Sequence, residues 1–351
     1  KIYKNKLWSY RELPLKLCEL GTVYRYERSG VLHGLFRVRG FTQDDAHIFC
    51  TRDQVKEEII KVLKLCLEVL SRFGFSEYTL FLSTRPKEKY VGELDHWKEA
   101  EDALENAMKE MGIAYEVDEG GGAFYGPKID LHIKDAIGRR WQLTTIQIDF
   151  AQPNNFSLEY VNSENKKVRP VMIHRALLGS IERFTGILIE HYAGEFPGWL
   201  APNQINILTI GNVDEYLDFI VSKLSKYRLN IDDRNIRLGE KIHESRKNKV
   251  PVTLIIGEKD AKNKTVAINY LDGSEEQDIV LSEGIKSIAV CFFPEWSIRL
   301  IIPGLQFIRA VSIVAVNKEH DRAVLYLNAF KQKQGFHHGL QTELPLFTPN
   351  P

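Results

Sequence analysis

The sequence predicts an α/β protein in two parts. The first is an α+β domain with an antiparallel sheet and flanking helices, and the second is a small α/β domain. Three observations carry this. Strand-like runs at 113–117, 129–133 and 140–150 follow one another with only charged and glycine-rich turns between them, which suits an antiparallel sheet rather than a βαβ wind. The stretch Pro197-Gly198-Trp199-Leu200-Ala201-Pro202 breaks both kinds of element. Beyond it, strand and helix patterns alternate. The expected domains are 1–200 and 203–293, followed by an unassigned tail, 294–351.

Each element has its own signal. Residues 1–50 read as mixed helix and strand, with an arginine-rich, hairpin-like stretch from Arg25 to Cys50. Thr51 and Gln54 form a capping box. After it Val55, Ile59, Val62, Cys66, Val69 and Phe73 fall on one helical face, and Gly74 stops the helix. A strand at 78–82 precedes a second helix over 95–111, whose buried face holds Trp97, Leu104 and Met108. Residues 169–173 read as a strand and 176–192 as an apolar helix closed by Gly194. In the second domain, strands are expected at 205–210, 229–231, 252–256 and 265–270, with helices at 213–227 and 238–247. The tail carries apolar runs at 298–302 and 310–316 and ends in residues rich in His, Gly and Pro. No internal repeat is present.

Composition bounds the function. The chain has 351 residues, 44% hydrophobic and 27% charged, enough to bury a sizeable core. Lys+Arg and Asp+Glu balance at 47 each, so net charge neither requires nor excludes a nucleic-acid partner. Cys18, Cys50, Cys66 and Cys291 show no disulfide-framework spacing, and a reduced, cytoplasmic compartment is the simple expectation. No apolar run reaches the ~18 residues of a membrane helix. The chain opens on Lys1 rather than Met, so an N-terminal portion is expected to be missing.

Three segments carry chemistry. The stretch Arg25-Tyr26-Glu27 through Gly40-Phe41 concentrates arginines around one carboxylate. A guanidinium matches phosphate bidentately, so the pattern suits a nucleotide; an ordinary solvated hairpin is the alternative. In Gly40-Phe41-Thr42-Gln43-Asp44-Asp45-Ala46-His47-Ile48-Phe49-Cys50, His47 and Cys50 have a spacing sometimes seen in zinc sites. Strand alternation turns them to opposite faces, so Cys50 reads as a small buried hydrophobe. In His174 to Phe184, Gly179 permits close approach, and Arg183 inside a mostly apolar helix needs a carboxylate or an anionic ligand.

Arg25-x-Glu27 resembles motif 2 of class II aminoacyl-tRNA synthetases, and Gly179 to Arg183 resembles motif 3. The stretch Ser29-Gly30-Val31-Leu32-His33-Gly34 through Ile48-Phe49 is similar to the threonyl-tRNA synthetase family, of class IIa and bacterial type. So are Gly122-Ala123-Phe124-Tyr125-Gly126-Pro127-Lys128 and Val171-Met172-Ile173-His174-Arg175-Ala176. The resemblance spans about residues 1–293. It implies a threonine–tRNA ligase that activates L-threonine with ATP and Mg²⁺ and transfers it to tRNA(Thr). Arg25 and Arg183 would be catalytic. The ATP set would be Arg25, Glu27, Arg37, Phe41, Gln142, Thr145 and Arg183, with Phe41 and Arg183 sandwiching the adenine. Gln43, Asp45, Tyr125, Lys128 and Gln147 would line the threonine pocket. His47 and His174 would bind a zinc whose third ligand, a cysteine, lies upstream of Lys1.

Zinc makes physical sense for this substrate. Valine is nearly isosteric with threonine, and an apolar pocket separates such a pair by only ~100-fold. A Lewis acid that takes the amine and the hydroxyl leaves valine one ligand short. The second domain would bind the anticodon through Arg234, Asn235 and Lys241. A homodimer is implied, though its motif 1 element is among the residues expected to be missing. The alternative is a catalytically impaired fragment or an RNA-binding regulatory paralogue. The presence of Arg25, Glu27 and Arg183 favours the enzyme.

Overall fold

The computed structural model describes residues 1–292, together with the backbone of strands Val311–Asn317, Arg322–Asn328 and Gln341–Glu343. The run expected at 298–302 lies outside the described residues. The chain forms two compact units, Lys1–Tyr192 and Ala193–Pro351.

The first unit contains, in order, β1 (Trp8–Ser9), β2 (Leu15–Tyr24), β3 (Gly40–Cys50), α1 (Val55–Arg72), β4 (Thr79–Ser83), α2 (Leu94–Glu110) and β5 (Tyr115–Asp118). It continues with β6 (Lys128–Lys134), β7 (Arg140–Asp149), α3 (Ala151–Asn155), β8 (Tyr160–Val161), β9 (Lys167–Val168), β10 (Val171–Ser180) and α4 (Ile181–His191). Seven strands form one sheet in the order β2-β3-β10-β7-β6-β4-β5. Every neighbouring pair is antiparallel except β4 and β5. The fold class is therefore the α+β arrangement that the sequence predicts.

Local chemistry explains the elements. Gln54 accepts a hydrogen bond from the Thr51 amide at 3.0 Å, which opens the turn into α1. The apolar face of α1 buries Val55, Ile59, Leu63, Cys66 and Leu70, and Cys66 Sγ lies 2.9 Å from Thr144 Oγ1 on the back of the sheet. Trp97, Leu104 and Met108 of α2 are buried. One boundary differs from expectation. Residues 176–180 are strand, not helix. Ala176 lies between two partners, Asp45 on β3 and Thr145 on β7, and both ladders claim its backbone. Local helix propensity of Ala-Leu-Leu yields to that pairing at Ala176 and, beyond it, to the Asp44 carboxylate, which accepts the Leu177 and Leu178 amides.

The second unit contains β11 (Ile205–Ile210), α5 (Asp214–Leu224), β12 (Leu229–Asp232), α6 (Leu238–Lys247), β13 (Val252–Gly257), α7 (Glu258–Asn263), β14 (Thr265–Tyr270), β15 (Glu275–Val280) and α8 (Leu281–Phe292). The sheet order is β12-β11-β13-β14-β15, parallel through β13 and antiparallel after it. Ile205, Ile207, Leu254 and Ile256 pack one face against Ile220 of α5 and Ile288 and Phe292 of α8. Leu208 and Ile255 meet Leu238 and Ile242 of α6 on the other. The elements expected from the sequence do not include α7, β15 or α8. In the tail, β16 (Val311–Asn317), β17 (Arg322–Asn328) and β18 (Gln341–Glu343) pair as an antiparallel meander. Among the described residues, no helix is long and apolar enough to cross a membrane.

Candidate active site

Strand alternation places Phe41, Gln43, Asp45 and His47 of β3 on one face of the large sheet, because residues two apart share a side. Register then carries that face across the neighbours. His47 stands opposite His174 on β10, His174 opposite Gln147 on β7, and Gln147 opposite Lys128 on β6. One transverse row thus holds four of the expected site residues. The next row along holds Asp45, Thr145 and Asp130.

The two imidazoles meet edge to face, with ring centroids 4.6 Å apart. His174 Nε2 lies 2.8 Å from Asp149 Oδ2, and that carboxylate is fully buried. Such a carboxylate fixes the tautomer and leaves Nδ1 with its lone pair when Nε2 carries the proton. Burial, and then the nearby His174, push the His47 pKa below its ordinary value, so His47 favours the neutral form that ligates metals. Two converging imidazoles, one of them backed by a carboxylate, suit zinc chemistry. Among the described residues they are not joined by a third such side chain in ligating geometry. Cys50 faces away, fully buried, with its thiol pushed up to about 12 by desolvation.

Around this pair, Tyr125 packs its ring 5.9 Å from His174. Tyr125 arrives on the loop before β6, where Gly126 crosses β7 so closely that a Cβ would lie 1.8 Å from the Ile148 carbonyl oxygen. Gln147 Nε2 donates to the Gly126 carbonyl at 3.1 Å and fastens the loop there. Asp130 is the hub of the polar floor. It takes Lys128 Nζ at 2.5 Å, Gln142 Nε2 at 2.6 Å and Thr145 Oγ1 at 2.8 Å.

The arginines gather beside this floor. Arg183 enters from the first turn of α4. Its Nε donates to the Phe36 carbonyl at 2.8 Å and Nη1 to the Gln142 carbonyl at 3.0 Å, and its guanidinium lies 5.3 Å from the Trp141 ring. Burial, followed by repulsion from Arg37 and Arg25, lowers its pKa, with Glu27 opposing. An arginine remains charged under such pressure. Several like charges held together are what an anion relieves. Arg25 sits 5.2 Å from the Phe41 ring, and Arg37 pairs with Glu27 at 3.2 Å.

In the second unit, Arg234 is exposed and held by two carboxylates, Asp232 at 2.7 Å and Glu244 at 2.5 Å. Asn235 beside it is exposed. Lys241 lies beside the same Asp232 but points inward. It is 2% exposed, and Nζ donates to the Thr209 and Asp232 carbonyls at 2.9 and 3.0 Å. It braces the loop rather than reaching solvent. Asp44, Asp130, Asp149 and Glu182 are not among the residues expected from the sequence. Cross-strand register, invisible in one sequence, brings Asp130 and Asp149 to the site, and Glu182 arrives on the first turn of α4.

A mostly antiparallel sheet with converging arginines beside a polar, amide-rich floor is the core of a class II tRNA synthetase. Residues 1–192 match the family model described as tRNA synthetase class II core domain (G, H, P, S and T), and residues 204–290 match the anticodon binding domain. The chain is 51% identical to the threonine–tRNA ligase of Sulfurihydrogenibium sp. (strain YO3AOP1), over 82% of this chain and 45% of that one. It is 55% identical to that of Aquifex aeolicus (strain VF5), over 76% and 42%. The RNA binding domain of threonyl-tRNA synthetase from Cryptosporidium parvum Iowa II superposes with a TM-score of 0.78 at 40% identity, covering 84% of this chain and 74% of that structure. The chain belongs to the threonyl-tRNA synthetase family. It spans about 45% of the length of the curated relatives it matches.

Proposed function

We propose that this chain carries the adenylate-forming and anticodon-binding parts of a threonine–tRNA ligase. The observation that carries the reading is the His47–His174–Gln147–Lys128 row beside Arg183, Arg25 and Arg37. ATP with Mg²⁺, L-threonine and tRNA(Thr) are the substrates, and the assembled enzyme is a cytoplasmic homodimer. Residues 1–200 serve as the catalytic domain and 203–293 as the anticodon-binding domain.

Threonine's carboxylate attacks the α-phosphate in line, and pyrophosphate leaves. The tRNA 3′ ribose hydroxyl then attacks the adenylate carbonyl, the acyl–phosphate bond breaks, and AMP leaves. Arg25 and Arg183 neutralise the charge that grows on the phosphate, the largest contribution that preorganised groups make. Arg37 adds a phosphate contact, Glu27 faces the adenine side, and Phe41 and Arg183 cover the ring. Gln43, Asp45, Tyr125, Lys128 and Gln147 hold threonine, with Gln142 and Thr145 closing the pocket. His47 and His174 would hold zinc with a further donor, and bound zinc would supply Lewis-acid recognition of the substrate amine and hydroxyl. The deciding experiment is threonine-dependent ATP–pyrophosphate exchange by this chain. Exchange with threonine and none with proline or valine at matched concentration is expected. Equal exchange with all three defeats the substrate assignment.

The RNA half makes its own prediction. Arg234→Ala is expected to weaken tRNA charging by about tenfold or more while exchange stays within about twofold, because Arg234 belongs to a separate compact unit. A parallel fall in both rates would remove Arg234 from the RNA contact.

A further inference from the structure

The junction between β10 and α4 is irregular. Ala176 pairs with Asp45 and Ser180 with Gln43, so β10 advances four residues while β3 advances two. The bulge takes the Leu177 and Leu178 amides out of the ladder. Asp44, on β3 beside the gap, accepts both: Oδ2 from Leu177 at 2.8 Å and Oδ1 from Leu178 at 3.0 Å. Arg175 Nη1 approaches the same carboxylate at 3.4 Å.

A second carboxylate works in the opposite direction. The Thr42 amide of β3 donates to Glu182 of α4, at 2.9 Å to Oε1 and 3.0 Å to Oε2. Ser180 Oγ donates to Glu182 at 3.0 Å and itself accepts the Arg183 amide at 3.2 Å. Between the two clamps, Gly179 takes a φ of +67° and passes so near β7 that a Cβ would lie 2.7 Å from the Leu143 carbonyl oxygen. β10 therefore gives two amides to a carboxylate of β3, and β3 gives one to a carboxylate of α4. The residue delivered by this exchange is Arg183.

We infer that Asp44, with Glu182 as its counterpart, is a positioning residue that fixes the bulge before α4 and so sets the Arg183 guanidinium against the ATP phosphates. The inference rests on the proposed adenylation reading. Asp44 reaches no substrate itself. Its carboxylate can serve two amides at once, whereas an asparagine side chain presents one acceptor and one donor. Asp44→Asn therefore releases one amide and loosens the bulge. A small misplacement of a catalytic group costs up to about a hundredfold in rate.

The test compares the unsubstituted chain with Asp44→Asn, Arg183→Ala and the double variant, in ATP–pyrophosphate exchange. Asp44→Asn is expected to lower kcat/KM for ATP by about ten- to a hundredfold and to leave KM for threonine within about twofold. In the Arg183→Ala background the same change should cost less than about threefold, because the residue it positions is gone. Equal loss in both backgrounds, or a matching rise in KM for threonine, overturns the inference and makes Asp44 a general structural residue. Should Asp44→Asn fail to fold, Glu182→Gln approaches the junction from the other side and is expected to give the same ATP-confined loss. If the unsubstituted chain shows no exchange, the adenylation reading fails. Amide hydrogen exchange still decides the clamp: faster exchange at Leu177 and Leu178 in Asp44→Asn supports it, and unchanged exchange refutes it.

Discussion

Arg183→Ala is expected to lower threonine-dependent ATP–pyrophosphate exchange by about a hundredfold or more. The side chain is already committed: two carbonyls orient it, Trp141 backs it, and the Ser180 hydroxyl caps the turn that carries it. An alanine therefore removes charge from a preformed position. Arg25 and Arg37 act on Arg183 by repulsion, so they share its electrostatic field. They are anchored differently, however, Arg37 to Glu27 and Arg25 over Phe41. Arg183→Lys should restore only part of the rate, since an ammonium cannot keep both carbonyl bonds and the stacking on Trp141. Exchange kinetics at saturating threonine make the measurement. A loss below about tenfold in Arg183→Ala would count against its catalytic role.

The second large effect concerns the histidine pair. Zinc affinity is expected to fall by about a hundredfold or more in His174→Ala, and by about tenfold or more in Asp149→Asn, which keeps the ring but removes the partner of its Nε2. Cys50→Ser should change nothing, because that thiol is buried on the opposite face and held protonated. A competition titration against a chromogenic chelator reads all three. Binding abolished in Cys50→Ser and retained in His174→Ala would transfer the metal to a different set of donors and sink the assignment.

Much of the fold is legible along the chain, since it rests on short-range signals. The Thr51–Gln54 cap, the apolar face of α1 and the strand and helix alternation after residue 203 are all local. The places where reading fails are long-range. Residues 176–180 look helical by composition, yet Ala176 is held by partners about 130 and 30 positions away in sequence, and the Leu177 and Leu178 amides are held by Asp44. Of the site, the arginines and the two histidines can be singled out by residue type. The buried carboxylates cannot. Asp44, Asp130, Asp149 and Glu182 have the composition of ordinary surface residues, and only pairing reveals the amides, lysine and imidazole that hold them. Lys241 shows the opposite error: a basic residue near an RNA-like motif whose charge is turned inward by two carbonyls.

The transverse row has a consequence for how such a chain can change over generations. His47, His174, Gln147 and Lys128 share a face only because each strand keeps its parity relative to its neighbours. Inserting one residue within β3 between Asp45 and His47 would send one of them to the back of the sheet, among the helices. Inserting two would keep both on the front and merely displace them by a row. Gains and losses of single residues inside β3, β7 and β10 are thus expected to be lethal to the site, while paired ones are survivable. A scan of one- and two-residue insertions along β3, selected for growth on a threonylation-dependent host, would display that odd–even pattern directly.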